Sequence, residues 1–220
     1  MVADEYDVWL LDLDGTLVDT EPGYVHDVMG RVGDRLGHEI TEEGAETVWH
    51  SLGGDPNAVV RSWGVDPDRF WTVFHEEEDP VARAESTFLY EDAEWFAEVD
   101  APLGLVTHCQ SYLAEPVLEH LGIRDWFDTV VCCTDETGWK PDPGPVERAL
   151  ADMGLLDARE RGILAGDGPH DVGAAWNAGL DAVHVERHGH DRRGLCVLGD
   201  HRVDGFDELR RRWGLGPAAD

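Results

Sequence analysis

Short apolar runs recur along this chain, and each is broken at its end by polar residues. Val8-Trp9-Leu10-Leu11 is the first, stopped by Asp12. Similar runs follow at Leu103-Gly104-Leu105-Val106, Thr129-Val130-Val131-Cys132, Gly162-Ile163-Leu164-Ala165 and Ala182-Val183-His184-Val185. Runs this short, without polar alternation, fit strands buried on both faces. Between them the apolar spacing turns helical, over Tyr112 to His120, Pro145 to Met153 and Val172 to Ala178, where Gly179 reads as a C-cap. Strands alternating with helices predict an α/β fold: a Rossmann-like parallel sheet with helices on both faces, binding its ligands at the carboxyl ends of the strands.

Residues 21–85 break that alternation. They hold no buried-strand run and show helical spacing at Val25, Val28, Met29, Val32 and Leu36, with Trp49, Trp63, Phe70, Trp71 and Phe74 further on. The pattern predicts a small helical cap over 21–85, inserted after the first strand. The α/β core then comprises 1–20 and 86–220 and resumes at a helix near Ala93 to Val99. Aromatic residues so spaced are read as a small core of the cap's own.

Composition narrows the function classes. With 220 residues, 42% of them hydrophobic, and nine tryptophans, the chain has enough apolar surface for a packed core despite a formal charge of -30. The acid is dispersed rather than gathered in a tail, so binding to nucleic-acid phosphates is excluded for want of clustered cations. No run is long enough to span a membrane, and the acidic Met1 to Glu5 segment lacks the character of a secretory signal, which points to the cytoplasm. Four cysteines, two of them adjacent at Cys132-Cys133, form no zinc or disulfide pattern and read as buried thiols.

The candidate chemistry lies at the strand ends. Asp12 and Asp14 follow the first run, Thr107 and His108 the second, Lys140 the third, and Asp167 and Asp171 the fourth. In a parallel sheet these ends share one edge. Carboxylates gathered there repel one another unless a cation sits among them, and an all-oxygen set selects a hard ion, Mg2+. Lys140 is the sole lysine beside sixteen arginines, and an ammonium differs from a guanidinium in being a compact, mobile point charge. Taken singly, each cluster has a plainer reading. Asp167 and Asp171 fit a helix N-cap with a first-turn acid, Thr107 a strand end, and Lys140-Pro141 the opening of a turn.

Together and in order, Asp12-Leu13-Asp14-Gly15-Thr16-Leu17-Val18-Asp19, Leu105-Val106-Thr107, Lys140-Pro141-Asp142-Pro143 and Gly166-Asp167-Gly168 with Asp171 closely resemble the four motifs of the haloacid dehalogenase superfamily. The similarity covers most of the chain, and the position of the cap matches the phosphoglycolate-phosphatase-like and phosphomutase-like branches. The resemblance implies that Asp12 is the nucleophile that takes up a phosphoryl group, and that Asp14 is the general acid and base and a backbone ligand of Mg2+. It implies that Thr107 and Lys140 hold the phosphate, that Asp167 binds the metal together with Asp12, and that Asp171 is a ligand or orients one. Two positions depart from the family pattern. His108 stands where a small polar residue is expected and either meets substrate or packs against the cap, and Gly168 replaces a hydroxyl residue while keeping its backbone N–H. Asp19 is read as a capping or turn residue, and His170, His188, His190 and His201 as surface residues, since nothing pairs them at metal-ligand spacing.

The expected activity is therefore Mg2+-dependent hydrolysis of a small phosphorylated metabolite, with the oligomeric state left open. A sugar phosphomutase would use the same residues. A 2-haloacid dehalogenase would need neither the metal nor Asp14, and a silent regulatory member would not keep all four motifs. Specificity is expected from cap side chains, with Arg61, His50 and the aromatic residues near Trp71 as candidates.

The acidic, lysine-poor composition also resembles that of proteins from extreme halophiles. At molar salt the Debye length falls to about 3 Å, which screens the self-repulsion of a chain carrying -30 charges. The melting temperature should accordingly rise steeply between low and molar KCl, and a melting temperature independent of KCl would count against the halophilic reading.

Overall fold

All four side chains of the strand Val8–Leu11 (β1) are buried, because neighbouring strands flank it on both edges and helices cover both of its faces. The computed structural model describes residues 6–194 and 196–214. After β1 come β2 (Val18–Thr20), the helices α1 (Pro22–Leu36), α2 (Glu42–Trp49), α3 (Pro56–Ser62), α4 (Pro67–Glu77) and α5 (Pro80–Glu85), and β3 (Thr87–Leu89). There follow β4 (Leu103–Thr107), α6 (Ser111–His120), β5 (Thr129–Cys132), α7 (Gly144–Asp152), β6 (Gly162–Gly166) and α8 (Pro169–Ala178). The order ends with β7 (Asp181–Val185), α9 (His190–Arg193), β8 (His201–Val203) and α10 (Phe206–Trp213).

Six strands form one parallel sheet in the order β5-β4-β1-β6-β7-β8. The five predicted strands are all present, and β8 is an addition. It pairs only with β7, and His201 and Arg202 are half-exposed, so this edge strand carries no apolar run that a sequence pattern could reveal. The pleat of β1 sends Val8 and Leu10 to a layer with α7 and α8, and Trp9 and Leu11 to a layer with α6 and α10. Trp9 is the centre of the second layer, with Tyr6, Trp95, Phe96 and Trp213 around it at ring-centroid distances of 5.4 to 6.1 Å. The helix expected near Ala93 to Val99 is a 3-10 helix over Glu91–Glu98 that brings Ala93 and Phe96 into this layer.

The five helices α1 to α5 enter and leave through an antiparallel ribbon of β2 and β3, which carries the chain away from the sheet and back. Asp55-Pro56, Asp66-Pro67 and Asp79-Pro80 start α3, α4 and α5 by one device. The aspartate accepts a backbone N–H of the first turn, and proline occupies a position whose own N–H would be unsatisfied. The apolar faces meet in a separate cluster in which Val25, Val28, Met29 and Val32 pack on Val48, Val60, Phe70 and Phe74. Trp49, Trp63 and Trp71 sit partly buried at its rim, and α5 packs on α6. No helix among the described residues is long and apolar enough to cross a membrane. The thiol of Cys196 is exposed rather than buried, whereas Cys133 is enclosed as expected.

Trp9→Ala should cost about 3–5 kcal/mol of unfolding free energy, the range for deleting a large buried aromatic side chain. Urea denaturation at fixed molar KCl measures it, and a loss below about 1 kcal/mol would show that the cluster repacks.

Candidate functional site

Parallel registry places the ends of β1, β4 and β6 side by side. Leu11 pairs with both Leu105 and Ala165, so Asp12, Thr107 and Asp167 emerge together on one edge of the sheet. Just beyond, the chain must turn close to Asp167. Gly15 adopts φ +72°, and a Cβ there would lie 2.8 Å from Asp167 Oδ2, so this position requires glycine for both backbone and space.

Lys140 enters from the loop after β5 and is buried at the centre of the group. Its Nζ donates to Asp12 Oδ1 at 2.6 Å, to Asp171 Oδ1 at 2.6 Å and to the Val106 carbonyl at 2.8 Å. These use all three donors of an ammonium. Asp171 spends its other oxygen on the Gly168 N–H at 3.0 Å. The helix N-cap is thus Gly168 rather than Asp167, and the first-turn acid is buried against the sole lysine instead of exposed. Asp167 Oδ2 accepts from Arg193 Nη2 at 3.0 Å, and Arg193 is itself buried with its Nε on Glu186 at 3.1 Å. Arg193 escaped sequence reading because Asp191-Arg192-Arg193 has the look of a solvated charge run.

Asp14 stands at the mouth, half-buried, with Oδ1 accepting from Arg83 Nη2 at 2.5 Å. Arg83 belongs to α5, is almost fully enclosed, lies 3.5 Å from Glu78 and stacks on Trp49 at 4.5 Å. Thr107 is buried with its Oγ1 accepting the Cys109 N–H at 3.0 Å. His108 lies at the rim, and its ring neighbours are Trp139, on the loop after β5, and His170, in the first turn of α8, rather than residues of α1 to α5.

A cavity of about 750 Å3 lies over these residues, roofed by the helical insertion through Trp49, His50, Asn57, Trp71, His75 and Arg83. Two of the expected roof positions, His50 and Trp71, are among them. Arg61 is not: it is exposed and lies 3.7 Å from Asp55. The cation that the helical insertion brings to the cavity is Arg83, and only the approach of α5 to the sheet reveals it. His188 also departs from expectation. Its ring packs on that of His50 at 4.0 Å, and its Nε2 is buried.

Asp12, Asp167 and Asp171 each offer a carboxylate oxygen within 4.8 Å of the others. Burial pushes the Asp12 carboxyl well above the usual carboxylate range despite Lys140. Burial, reinforced by Asp171, pushes Asp167 up to about 7 despite Arg193. Asp171, against its own burial, is held low by Lys140 and the Gly168 N–H. The cluster is therefore richer in negative charge than Lys140 and Arg193 neutralise, and its donors are all oxygen. Both properties fit a hard divalent cation such as Mg2+.

A family model described as haloacid dehalogenase-like hydrolase matches residues 9–185. The chain is 31% identical over 193 residues to the pyrophosphatase PpaX of Bacillus velezensis, covering 80% of this chain and 81% of that protein. It is 28% identical over 189 residues to the phosphoglycolate phosphatase of Yersinia pseudotuberculosis, covering 78% and 77%. A haloacid dehalogenase-like family hydrolase from Streptococcus pneumoniae superposes with a TM-score of 0.76 at 18% identity, over 96% of this chain and 99% of that one.

In EDTA the folded protein should hold a proton on Asp167 up to a pH of about 7, whereas the unfolded chain releases it near 3.8. Ionising this group in the folded state costs stability, so its contribution declines as pH rises through that window. Melting curves should show a shallower decline for Asp167→Asn, and for the wild type with saturating Mg2+. Parallel pH profiles for all three samples would contradict the crowding of charge.

Proposed function

The chain belongs to the haloacid dehalogenase-like hydrolases, and from that premise we propose that it is a Mg2+-dependent phosphatase hydrolysing a small phosphate monoester through an aspartyl-phosphate on Asp12. The observation that carries this reading is the three-way ligation of Lys140 Nζ by Asp12, Asp171 and the Val106 carbonyl. It fixes one oxygen of Asp12 while Oδ2 keeps no protein partner among the described residues.

In the first step Asp12 Oδ2 bonds to phosphorus as the bond to the leaving oxygen breaks, and Asp14 supplies the proton that the leaving alkoxide needs. In the second, Asp14 takes a proton from water, the water oxygen bonds to phosphorus, and the Asp12–phosphorus bond breaks to release inorganic phosphate. Lys140 balances the charge that moves between nucleophile and phosphoryl oxygens, and the Thr107 hydroxyl donates to one of those oxygens. Asp12 and Asp167, with Asp171 behind them and the Asp14 carbonyl beside them, would hold Mg2+, which supplies positive charge to the transferring group. Arg193 orients Asp167 through Nη2.

The helical insertion acts as the cap over this site. Arg83 and Trp49 lie where the organic part of a substrate would sit, and the Arg83–Asp14 contact links the position of the cap to the acid. The names of the relatives, a phosphoglycolate phosphatase and a pyrophosphatase, agree with a small anionic substrate. The retention of Asp14 separates this reading from a dehalogenase.

A phosphate-release screen over phosphorylated metabolites in molar KCl with Mg2+ tests the proposal. Asp12→Asn should abolish release while the protein still folds, and EDTA should abolish it in the wild type. Lys140→Arg should be slowed about 10²-fold or more, because a planar fork cannot reproduce three converging ammonium contacts and errors of about 1 Å cost that much. Undiminished turnover of Asp12→Asn would overturn the mechanism, and transfer of phosphate to a second sugar without release would make the enzyme a mutase.

A further inference from the structure

A second group of ligand-type side chains lies at the seam between the helical insertion and the sheet. Asp19 comes from β2, His50 from the residue capping α2, and His188 from the loop after β7. Each offers one ligand atom, and the three atoms lie within 4.8 Å of one another. His50 Nδ1 is 3.9 Å from Asp19 Oδ1, and the two imidazole rings are 4.0 Å apart between centroids. Three segments remote in sequence thus bring two nitrogens and a carboxylate to one point.

Two observations beyond proximity point to a ligand. His188 Nε2 is buried and has no hydrogen-bond partner among the described residues, an arrangement that costs free energy unless something fills it. The Asp19 carboxylate, in contrast, is held from behind. Its Oδ2 accepts from the Tyr90 hydroxyl at 2.6 Å, and its Oδ1 from the Thr20 N–H at 2.7 Å. Metal-binding carboxylates are oriented by outer hydrogen bonds of this kind. The cations nearby are already neutralised, Arg192 by Glu46 and Arg193 by Glu186 and Asp167.

We propose that Asp19, His50 and His188 bind a borderline divalent transition metal, represented by Zn2+, that clamps the helical insertion to the sheet. Two imidazoles and one carboxylate suit such an ion, whereas the all-oxygen cluster around Asp12 suits a hard one. In a tetrahedral site with bonds of about 2.0–2.2 Å, ligand atoms stand roughly 3.3 Å apart. The 3.9 Å between His50 Nδ1 and Asp19 Oδ1 therefore closes by small side-chain rotations. Water takes the fourth position. Because His50 moves with the insertion and His188 with the sheet, the ion stabilises the closed arrangement and slows any step that needs it to open.

Equilibrium dialysis of the full-length protein against Zn2+ in molar KCl, with Mg2+ in large excess, tests this independently of catalysis. The wild type should retain one equivalent of Zn2+, and Co2+ in its place should give the visible absorption of a four-coordinate nitrogen-ligated ion. Asp167→Asn should retain both properties. His188→Ala and the closer-shaped His188→Gln, each checked for an unchanged melting profile in EDTA, should lose both and should escape the slowing of turnover by Zn2+ expected for the wild type. Failure of the wild type to retain Zn2+ would overturn the proposal. Equal retention by the His188 variants, or loss in Asp167→Asn alone, would overturn it as well by placing the ion elsewhere.

Discussion

A single buried ammonium holds the strand ends of this protein together. Lys140 Nζ contacts groups that follow β1, end β4 and begin α8, so three elements of the sheet layer converge on one charge. Taking an ion out of water is costly, and the cost is offset only when geometry and hydrogen bonding are complete. Here every donor is used. Removing any one partner would leave the others facing an uncompensated charge in a dry pocket, which is why Lys140, Asp12 and Asp171 behave as one unit rather than three residues.

That unit is still unbalanced. Among the described residues Asp12, Asp167 and Asp171 form ion pairs only with Lys140 and Arg193, and burial, with repulsion between the carboxylates added to it, displaces Asp12 and Asp167 upward. Under the proposed function this shortage of positive charge would favour both a divalent cation and the charge redistribution of phosphoryl transfer. Arg193 extends the network inward to Glu186 and His184, so the orientation of Asp167 rests on side chains well behind the cavity.

The helical insertion meets the sheet layer through the packing of α5 on α6 and through a set of polar contacts. Arg83 holds Asp14, Arg192 holds Glu46, the Tyr112 hydroxyl donates to the His75 carbonyl, and His50 packs on His188. Its own apolar cluster is separate from the two clusters of the sheet. A seam of hydrogen bonds and ion pairs can exchange partners with water at modest cost, in contrast to an apolar interface, so this junction is suited to opening and closing.

The sequence alone determined the parallel sheet, because short apolar runs with helical stretches between them leave few other ways to bury both faces. It also determined the cluster at the strand ends, since in a parallel sheet the residue after each run must lie on the same edge whatever the details. Asp12, Thr107, Lys140 and Asp167 were legible for that reason. Local chemistry was legible too, as the Asp-Pro starts of α3 to α5 and the left-handed Gly179 cap require only neighbours in the chain. Tertiary structure alone decided the rest. The strand β8 carries no apolar run, and β2 and β3 are short segments defined by each other. Arg83, Arg193 and His188 look like solvated residues in the sequence and become buried partners of Asp14, Asp167 and His50 only when remote segments meet. A charged side chain is placed by the partner that desolvates it, and the identity of that partner is a property of packing, which no local pattern encodes.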